Sequence, residues 1–354
     1  MNKKSPIVYP GITRERLTMI LEKIKNVQVV LLGDVCLDVY WKADMRLSEL
    51  SRETPHYPLP VIEERMSPGG GGNVVANLSA LAPAAVRVVS SIGTDWRGRE
   101  LKRLLTDLHA DTDGLTESEA FVTNTYIKPL RSGISDVIYE DPRLDFTNYR
   151  QINAAEENAV IDALEQAVKR GCDVLCVSDQ MPFGIVTEKV RRKVIELAAQ
   201  GLPVIADSRD RASQFTGVTL KPNEIEGARA VGIDVLQSGD INEYSSIAQK
   251  LACQNKGQVF MTVGANGSLV TEGESVWHIP AHKIDGPVDI VGAGDSSLSG
   301  FSLAVAASGA NLQEAACIAG LCSEVTIQQL HTTGTAPAEK IFAWYDHCQE
   351  KANA

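Results

Sequence analysis

The sequence has no Cys-x-x-Cys pair, and its seven cysteines, at 36, 172, 176, 253, 317, 322 and 348, are odd in number and widely scattered. That spacing offers neither a disulfide framework nor a zinc knuckle, so the cysteines are expected to be small buried hydrophobes in a reducing compartment. The six histidines, at 56, 109, 278, 282, 331 and 347, form no His-x-x-x-His or Glu-flanked metal pattern. Each is expected to be structural or on the surface. Long apolar runs are missing too: no stretch reaches the roughly 18 residues that a membrane span needs. The basic start, Met1-Asn2-Lys3-Lys4, is not followed by the apolar core of an export signal. A cytoplasmic protein is expected.

Positive charge is in short supply: 34 Lys and Arg stand against 45 Asp and Glu, a net charge of −11. Non-specific affinity for nucleic acid comes from Lys and Arg neutralising phosphates, so nucleic acid and anionic membranes are not expected partners. An anionic ligand would have to be held by local positive potential, at a helix N-terminus, an Arg or Lys, or a metal.

What is present is a 354-residue chain, 44% hydrophobic, in which apolar runs of strand length alternate with longer helix-period segments. That is the α/β signature, and it predicts a mostly parallel sheet covered by helices on both faces. Strands are expected over Val27 to Leu32, Val86 to Ile92, Val174 to Ser178, Val204 to Ala206, Val259 to Val263 and Ser268 to Thr271. Helices are expected over Trp96 to His109, Glu156 to Arg170, Val186 to Ala199, Tyr244 to Asn255, Ala293 to Ser308 and Leu312 to Gln328, with an extra one over Thr13 to Asn26. Gly171, Gly201, Gly232, Gly257 and Gly309 fall where helices should end, a position that favours left-handed backbone. The length is read as one large α/β unit spanning residues 1–354. Two stretches break its rhythm, about 40–64 and about 121–140. They are expected to leave the main body as a small β lid over the strand ends, where open α/β sheets place ligands.

Four motifs carry chemistry. Asp289-Ile290-Val291-Gly292-Ala293-Gly294-Asp295 feeds a long helix pattern, so backbone N–H groups around Gly292, Ala293 and Gly294 form an anion site that suits phosphate. Asp295 in that first turn reads equally as a dipole-favoured cap or as a base for a substrate hydroxyl. Gly69-Gly70-Gly71-Gly72-Asn73 opens a second helix, where glycines permit close approach of a ligand to the backbone and Asn73 adds a donor and an acceptor. Gly33-Asp34-Val35-Cys36-Leu37-Asp38 follows the first strand, and its carboxylates either grip sugar hydroxyls or cap a turn. Lys221-Pro222-Asn223-Glu224-Ile225-Glu226 sets Asn223 and Glu226 three apart at a helix start, facing one site or forming a capping box.

Together, and in this order, these motifs and the Thr262-Val263-Gly264-Ala265-Asn266-Gly267 turn resemble the ribokinase-like sugar kinases of the phosphofructokinase-B superfamily. Within it the nearest likeness is to the heptose-phosphate kinase domain of bifunctional ADP-heptose synthase, supported by the stretch Leu32 to Trp41, by Arg143-Leu144-Asp145-Phe146 and by Gly334-Thr335. The resemblance implies a three-layer α/β/α sandwich with a β lid, and an ATP-dependent kinase acting on a sugar or sugar phosphate, with heptose phosphate one candidate. It makes Asp295 the catalytic base, with Gly292, Ala293 and Gly294 as the anion hole. Asp34, Asp38, Gly70, Gly71 and Asn73 would hold the sugar. Asn223 and Glu226 would organise magnesium through water together with the ATP phosphates, while Thr262, Gly264 and Gly267 would border the nucleotide. Asp289 falls where the family builds a monovalent-cation site, implying potassium. Relatives pair through the lid, which implies a homodimer.

Three departures stand out. Ile290 and Val291 replace the threonines of many family members. Asp179-Gln180-Met181-Pro182-Phe183-Gly184 and Asp207-Ser208-Arg209 stand where heptose kinases carry Asp-Tyr-x-Lys-Gly and Asp-Pro-Lys, which changes how a substrate phosphate is met. The chain also ends soon after the kinase region, so the adenylyltransferase half is not expected. Arg46, Arg52, Lys128, Arg131, Arg143 and Arg209 are candidates to meet a substrate phosphate. The alternative on the same fold is a catalytically silent sugar- or nucleotide-binding protein. An intact Gly-Ala-Gly-Asp speaks against it.

Overall fold

The computed structural model describes residues 5–353 apart from His331. Met1 to Lys4 and His331, named above, therefore lie outside the described residues. Strand Gln28–Gly33 is buried along nearly its whole length, as are Val174–Asp179 and Val204–Ser208. A strand covered on both faces needs a continuous apolar run, and these three have one. They sit inside a six-stranded sheet, all parallel, in the order Thr219–Leu220, Val204–Ser208, Val174–Asp179, Gln28–Gly33, Ala85–Gly93, Asp111–Ser118. Alternate residues of one strand feed opposite cores: Val29 and Leu31 pack with Leu17, Leu78 and Phe301, whereas Val30 and Leu32 pack with Leu164, Val190 and Leu251. That period of two is what makes three layers.

A second sheet of four strands, Ile7–Val8, Ser275–Ile279, Ser268–Glu272 and Phe260–Thr262, is antiparallel apart from its first pair. Two isolated parallel bridges, Leu220 to Val259 and Asn223 to Thr262, join it to the edge of the first. The second bridge sets two of the expected nucleotide residues side by side.

The lid is a separate sheet whose boundaries correct the expected ones. Its strands Val35–Asp44, Val61–Gly70 and Thr125–Ser132, with the short pieces Tyr139–Glu140 and Leu144–Phe146 on the last, reach well outside 40–64 and 121–140. Val35 to Val39 is buried where it leaves the core and so reads as core sequence. The far end of its partner strand is Ser67-Pro68-Gly69-Gly70, which has no strand preference of its own. Asp111–Ser118 and Ser275–Ile279, and the C-terminal helix Ala338–Asn353, also went unpredicted. Four of the five helix-ending glycines have positive φ, but at the fifth site Lys256 takes the left-handed position. Gly257 is needed for space instead, since a Cβ there would meet the Val218 carbonyl oxygen at 2.2 Å. Among the cysteines Cys253 is exposed, contrary to expectation, while Cys36, Cys176, Cys317, Cys322 and Cys348 are buried. No helix among the described residues is long and apolar enough to cross a membrane.

The long helix Ala293–Ala306 is fixed to the second sheet by Phe301, which stacks on Phe260 with ring centroids 4.2 Å apart and planes 5° from parallel. Both rings are fully buried. Phe301→Ala is expected to cost about 3–5 kcal/mol in a urea titration, the loss typical of a deleted core aromatic. A loss under about 1 kcal/mol would show that this contact does not anchor the helix.

Candidate active site

The site starts at the first turn of helix Ala293–Ala306. Gly292 precedes it with φ 83° and supplies no side-chain cap. A helix that begins this way leaves its first amides without intrahelical partners and its positive end uncovered. The amide of Ala293 turns back to the Ile290 carbonyl at 3.2 Å, whereas those of Gly294 and Asp295 have no partner among the described residues. Of residues 292–294, expected to form an anion hole, Ala293 has its amide engaged, and the amide of Asp295 stands open beside that of Gly294.

A second helix, Gly71–Ala80, packs beside this turn, and Ser299 Oγ donates to the Val74 carbonyl at 3.1 Å between the two. The packing brings Asn73 onto Asp295, Nδ2 donating to Oδ2 at 2.6 Å. Gly292 leaves the room for this, since a Cβ there would crowd Asn73 Nδ2 at 3.0 Å. Burial pushes the Asp295 carboxyl up to about 6, with Asn73 and Lys221 opposing the rise and the charges of Asp207 and Asp38 adding to it. A carboxylate so placed can accept a proton near neutral pH.

On the lid side, Asp38 lies against Gly69, where a Cβ would meet its Oδ2 at 2.6 Å. Its pKa is raised by burial, while Lys128, Arg143 and Arg65 act to lower it. These three cations crowd two aromatic rings of the lid. Arg65 stands 4.2 Å and Lys128 4.8 Å from the Tyr40 ring centroid, and Arg143 stands 4.4 Å from that of Tyr126. Of the phosphate candidates named from sequence, Lys128 and Arg143 are therefore near the sugar end. Arg46 is instead spent on Asp44 and Arg131 on Asp141.

Asp34 is engaged by the protein itself. It is buried, and its carboxylate accepts from the amides of Gln180, Met181 and Ile185 at 3.2, 3.0 and 2.8 Å. Gly184 must be glycine beside it, because a Cβ would fall 2.3 Å from its oxygens. Asp34 ties down the loop after Val174–Asp179. Gly70, with φ 54°, and Gly71, whose amide donates to the Asp34 carbonyl at 2.8 Å, shape the turn that delivers Asn73.

On the other side of Asp295 opens a cleft of about 1450 Å³. Asn223, Glu226, Thr262, Gly264, Gly267 and residues 292–295 line it. Asn223 and Glu226 form a complete capping box at the start of Glu224–Ala230, so the bland reading of that motif is also correct. Gly267, with φ 93°, is forced, since a Cβ would meet the Ile279 carbonyl oxygen at 2.1 Å. Sequence reasoning assigned no role to two charged residues here. Lys221 is 3% exposed and donates to Asp207 Oδ2 at 2.7 Å. Burial would lower its pKa, but Asp207, Glu226 and Asp295 hold it above its ordinary value.

His282, expected to be structural or on the surface, has a structural role at the cleft wall. Its amide and ring Nδ1 meet buried Glu324 at 2.8 and 2.9 Å, and the Trp344 indole donates to the same carboxylate at 2.7 Å. The loop after Ser275–Ile279 is thereby tied to the two last helices. Among the described residues no group of three or more His, Cys, Asp or Glu is arranged to hold a metal ion. The Glu226 carboxyl is raised by burial and by the charge of Asp207, and one of its oxygens lies outside the capping box.

The profile of the pfkB family carbohydrate kinases matches residues 29–339. The chain belongs to that family. That family is one of carbohydrate kinases. Its curated relatives include the bifunctional protein HldE of Citrifermentans bemidjiense, 30% identical over 92% of this chain and 65% of that protein. The HldE of Caulobacter vibrioides is 31% identical over 88% of this chain and 62% of its own length. The chain thus spans less than two thirds of these relatives. Among solved structures, phosphofructokinase-2 of Escherichia coli in complex with potassium superposes with a TM-score of 0.71 at 19% identity, covering 92% of this chain and 99% of that one. Ribokinase of Arabidopsis thaliana, complexed with ribose and ATP, gives 0.65 at 18% identity over 90% and 98%. The fold is therefore ribokinase-like.

Asp295→Asn is expected to lower turnover by about 10²-fold or more while ATP affinity stays within a few-fold. The same change should raise the melting temperature at pH 7. Because the folded carboxyl titrates at about 6, above its ordinary value, the native state binds more protons than the unfolded one in that window, and stability falls as pH rises through it. Unchanged turnover would remove Asp295 from the chemistry.

Proposed function

We propose that the acceptor is a sugar phosphate, and that its hydroxyl attacks the γ-phosphorus of ATP at the first turn of helix Ala293–Ala306. The observation that carries this reading is the position of Asp295, joined to Asn73 on the lid side and set beside unpartnered amides on the cleft side. Asp38 and Asn73 orient the sugar over the turn formed by Gly70 and Gly71. Asp295 takes the hydroxyl proton as the new oxygen–phosphorus bond forms. The amides of Gly294 and Asp295 receive the charge on the transferring group, since phosphoryl transfer is mostly positioning and charge neutralisation. Asn223 and Glu226 would hold magnesium through water, and the ion would supply charge that offsets part of that on the ATP phosphates. Thr262, Gly264 and Gly267 border the nucleotide.

A substrate phosphate is favoured by Arg65 and Lys128, which stand with Arg143 around Asp38, although Arg143 is also held by Asp145. A heptose phosphate is the acceptor to which the resemblance to heptose-phosphate kinases points. A potassium ion beside Asp289 would have to rest on main-chain carbonyls, because exposed Ile290 and Val291 offer no side-chain oxygen. The whole reaction belongs to one α/β unit with its lid. Ile62, Val137, Ile138 and Tyr139 on the lid are exposed, and covering them with a second copy's lid would also close the open edge of Val61–Gly70. We place the protein in the cytoplasm as a homodimer.

A panel of pentoses, hexoses, heptoses and their phosphates, assayed for ADP release with ATP and magnesium, tests the reading. Phosphorylated sugars should be turned over with the higher kcat/KM. Arg65→Ala and Lys128→Ala should each raise KM for the phosphorylated acceptor about tenfold or more, in keeping with a lost charged hydrogen bond. KM for ATP should hold. Preference for free sugars would overturn the assignment.

A further inference from the structure

Lys221 carries one chemistry that the motifs do not describe. It follows the edge strand Thr219–Leu220, and its amide donates to the Ala206 carbonyl at 2.8 Å, so the main chain holds it in register beside Val204–Ser208. Its side chain is enclosed and lines the cleft. Of the three N–H donors on Nζ, one goes to Asp207 Oδ2 at 2.7 Å, and no other partner stands among the described residues. Asp207 is itself steadied by Gln180 Nε2 at 3.1 Å. A Cβ built on Gly294 would lie 3.5 Å from Nζ, which sets the ammonium against the turn bearing the two unpartnered amides.

The charges around that turn make the position matter. Asp207, Glu226 and Asp295 all line the cleft, and a nucleotide brings more negative charge to them. A helix end supplies only about half a positive charge. A buried ammonium with spare donors beside those amides supplies a full one, and lysine is a recognised point-charge binder of phosphate.

We propose that Lys221 touches the phosphoryl group in transfer, its Nζ donating to that group's oxygens while Asp207 holds the ammonium in place. In this step the sugar oxygen bonds to the γ-phosphorus and its proton passes to the Asp295 carboxylate. The bond from γ-phosphorus to the bridging oxygen breaks, and ADP leaves with that electron pair. Lys221 neither gains nor loses a proton. It offsets the charge that the amides alone leave uncovered, which makes it a catalytic residue of the reaction proposed above, on which this inference rests.

The test compares Lys221→Gln, Lys221→Met and Lys221→Arg with the wild type. Glutamine keeps a donor for Asp207 and loses the charge, so a merely structural pair survives it. Turnover in Lys221→Gln and Lys221→Met should fall about 10²-fold or more, with Lys221→Arg recovering part of the loss. Affinity for magnesium ADP alone should change less than about threefold, while affinity for magnesium ADP with fluoroaluminate and acceptor, a mimic of the group in transfer, should drop by about the same factor as turnover. Lys221→Gln with wild-type turnover, or equal losses for ADP and its fluoroaluminate complex, would overturn the assignment. A wild type that phosphorylates no sugar would instead remove the reading beneath it.

Discussion

The hydrogen bond from Asn73 Nδ2 to Asp295 Oδ2, 2.6 Å long, is the contact on which the site depends. It joins two helices that are each preceded by a glycine, one reached from the lid and the other from the cleft. Because neither helix start carries a side-chain cap, the helix ends stay open to ligand instead of being closed by the protein itself. Gly292 has to be glycine twice over, for its positive φ and for the space it leaves Asn73. The base therefore occupies the seam between the part of the molecule that meets the sugar and the part that meets the nucleotide. Either half displaced would move it.

The acidic balance of the chain gives this geometry its consequence. With a net charge of −11, the protein attracts a polyanion only where positive potential is concentrated. It is concentrated in two places. Arg65, Lys128 and Arg143 stand around the aromatic rings of the lid, and Lys221 with the open amides of Gly294 and Asp295 stands on the floor of the cleft. The surrounding carboxylates hold Lys221 charged despite its burial.

Much of this could be read from residues alone, and the failures share a cause. The parallel strands and their helices carry their periodicity locally, so the layers were readable, as were the glycine-rich helix starts. Asp34 and Asp38 looked alike in sequence. They part only because Asp34 faces the loop 180–185, some 150 residues away, whose amides consume it. Lys221 sits beside Pro222 at a strand end and looks like a surface lysine until the sheet brings Asp207 against it. Arg65 was hidden in the same way, since its place depends on the pairing of Val61–Gly70 with Val35–Asp44 across Tyr40. Short-range pattern reports periodicity and caps; it does not report which distant element will cover a charge.

The central claim is that Asp295 is a base whose proton affinity is set by burial and restrained by Asn73. The most direct measurement is the pH dependence of kcat/KM for the wild type and for Asn73→Ala, with ATP and a phosphorylated sugar. The account predicts an acid limb at about 6 in the wild type. It predicts that the limb moves to higher pH in Asn73→Ala, because the lost hydrogen bond favoured the ionised form. A rate with no acid limb between pH 5 and 7, or a limb that Asn73→Ala leaves in place, would contradict it.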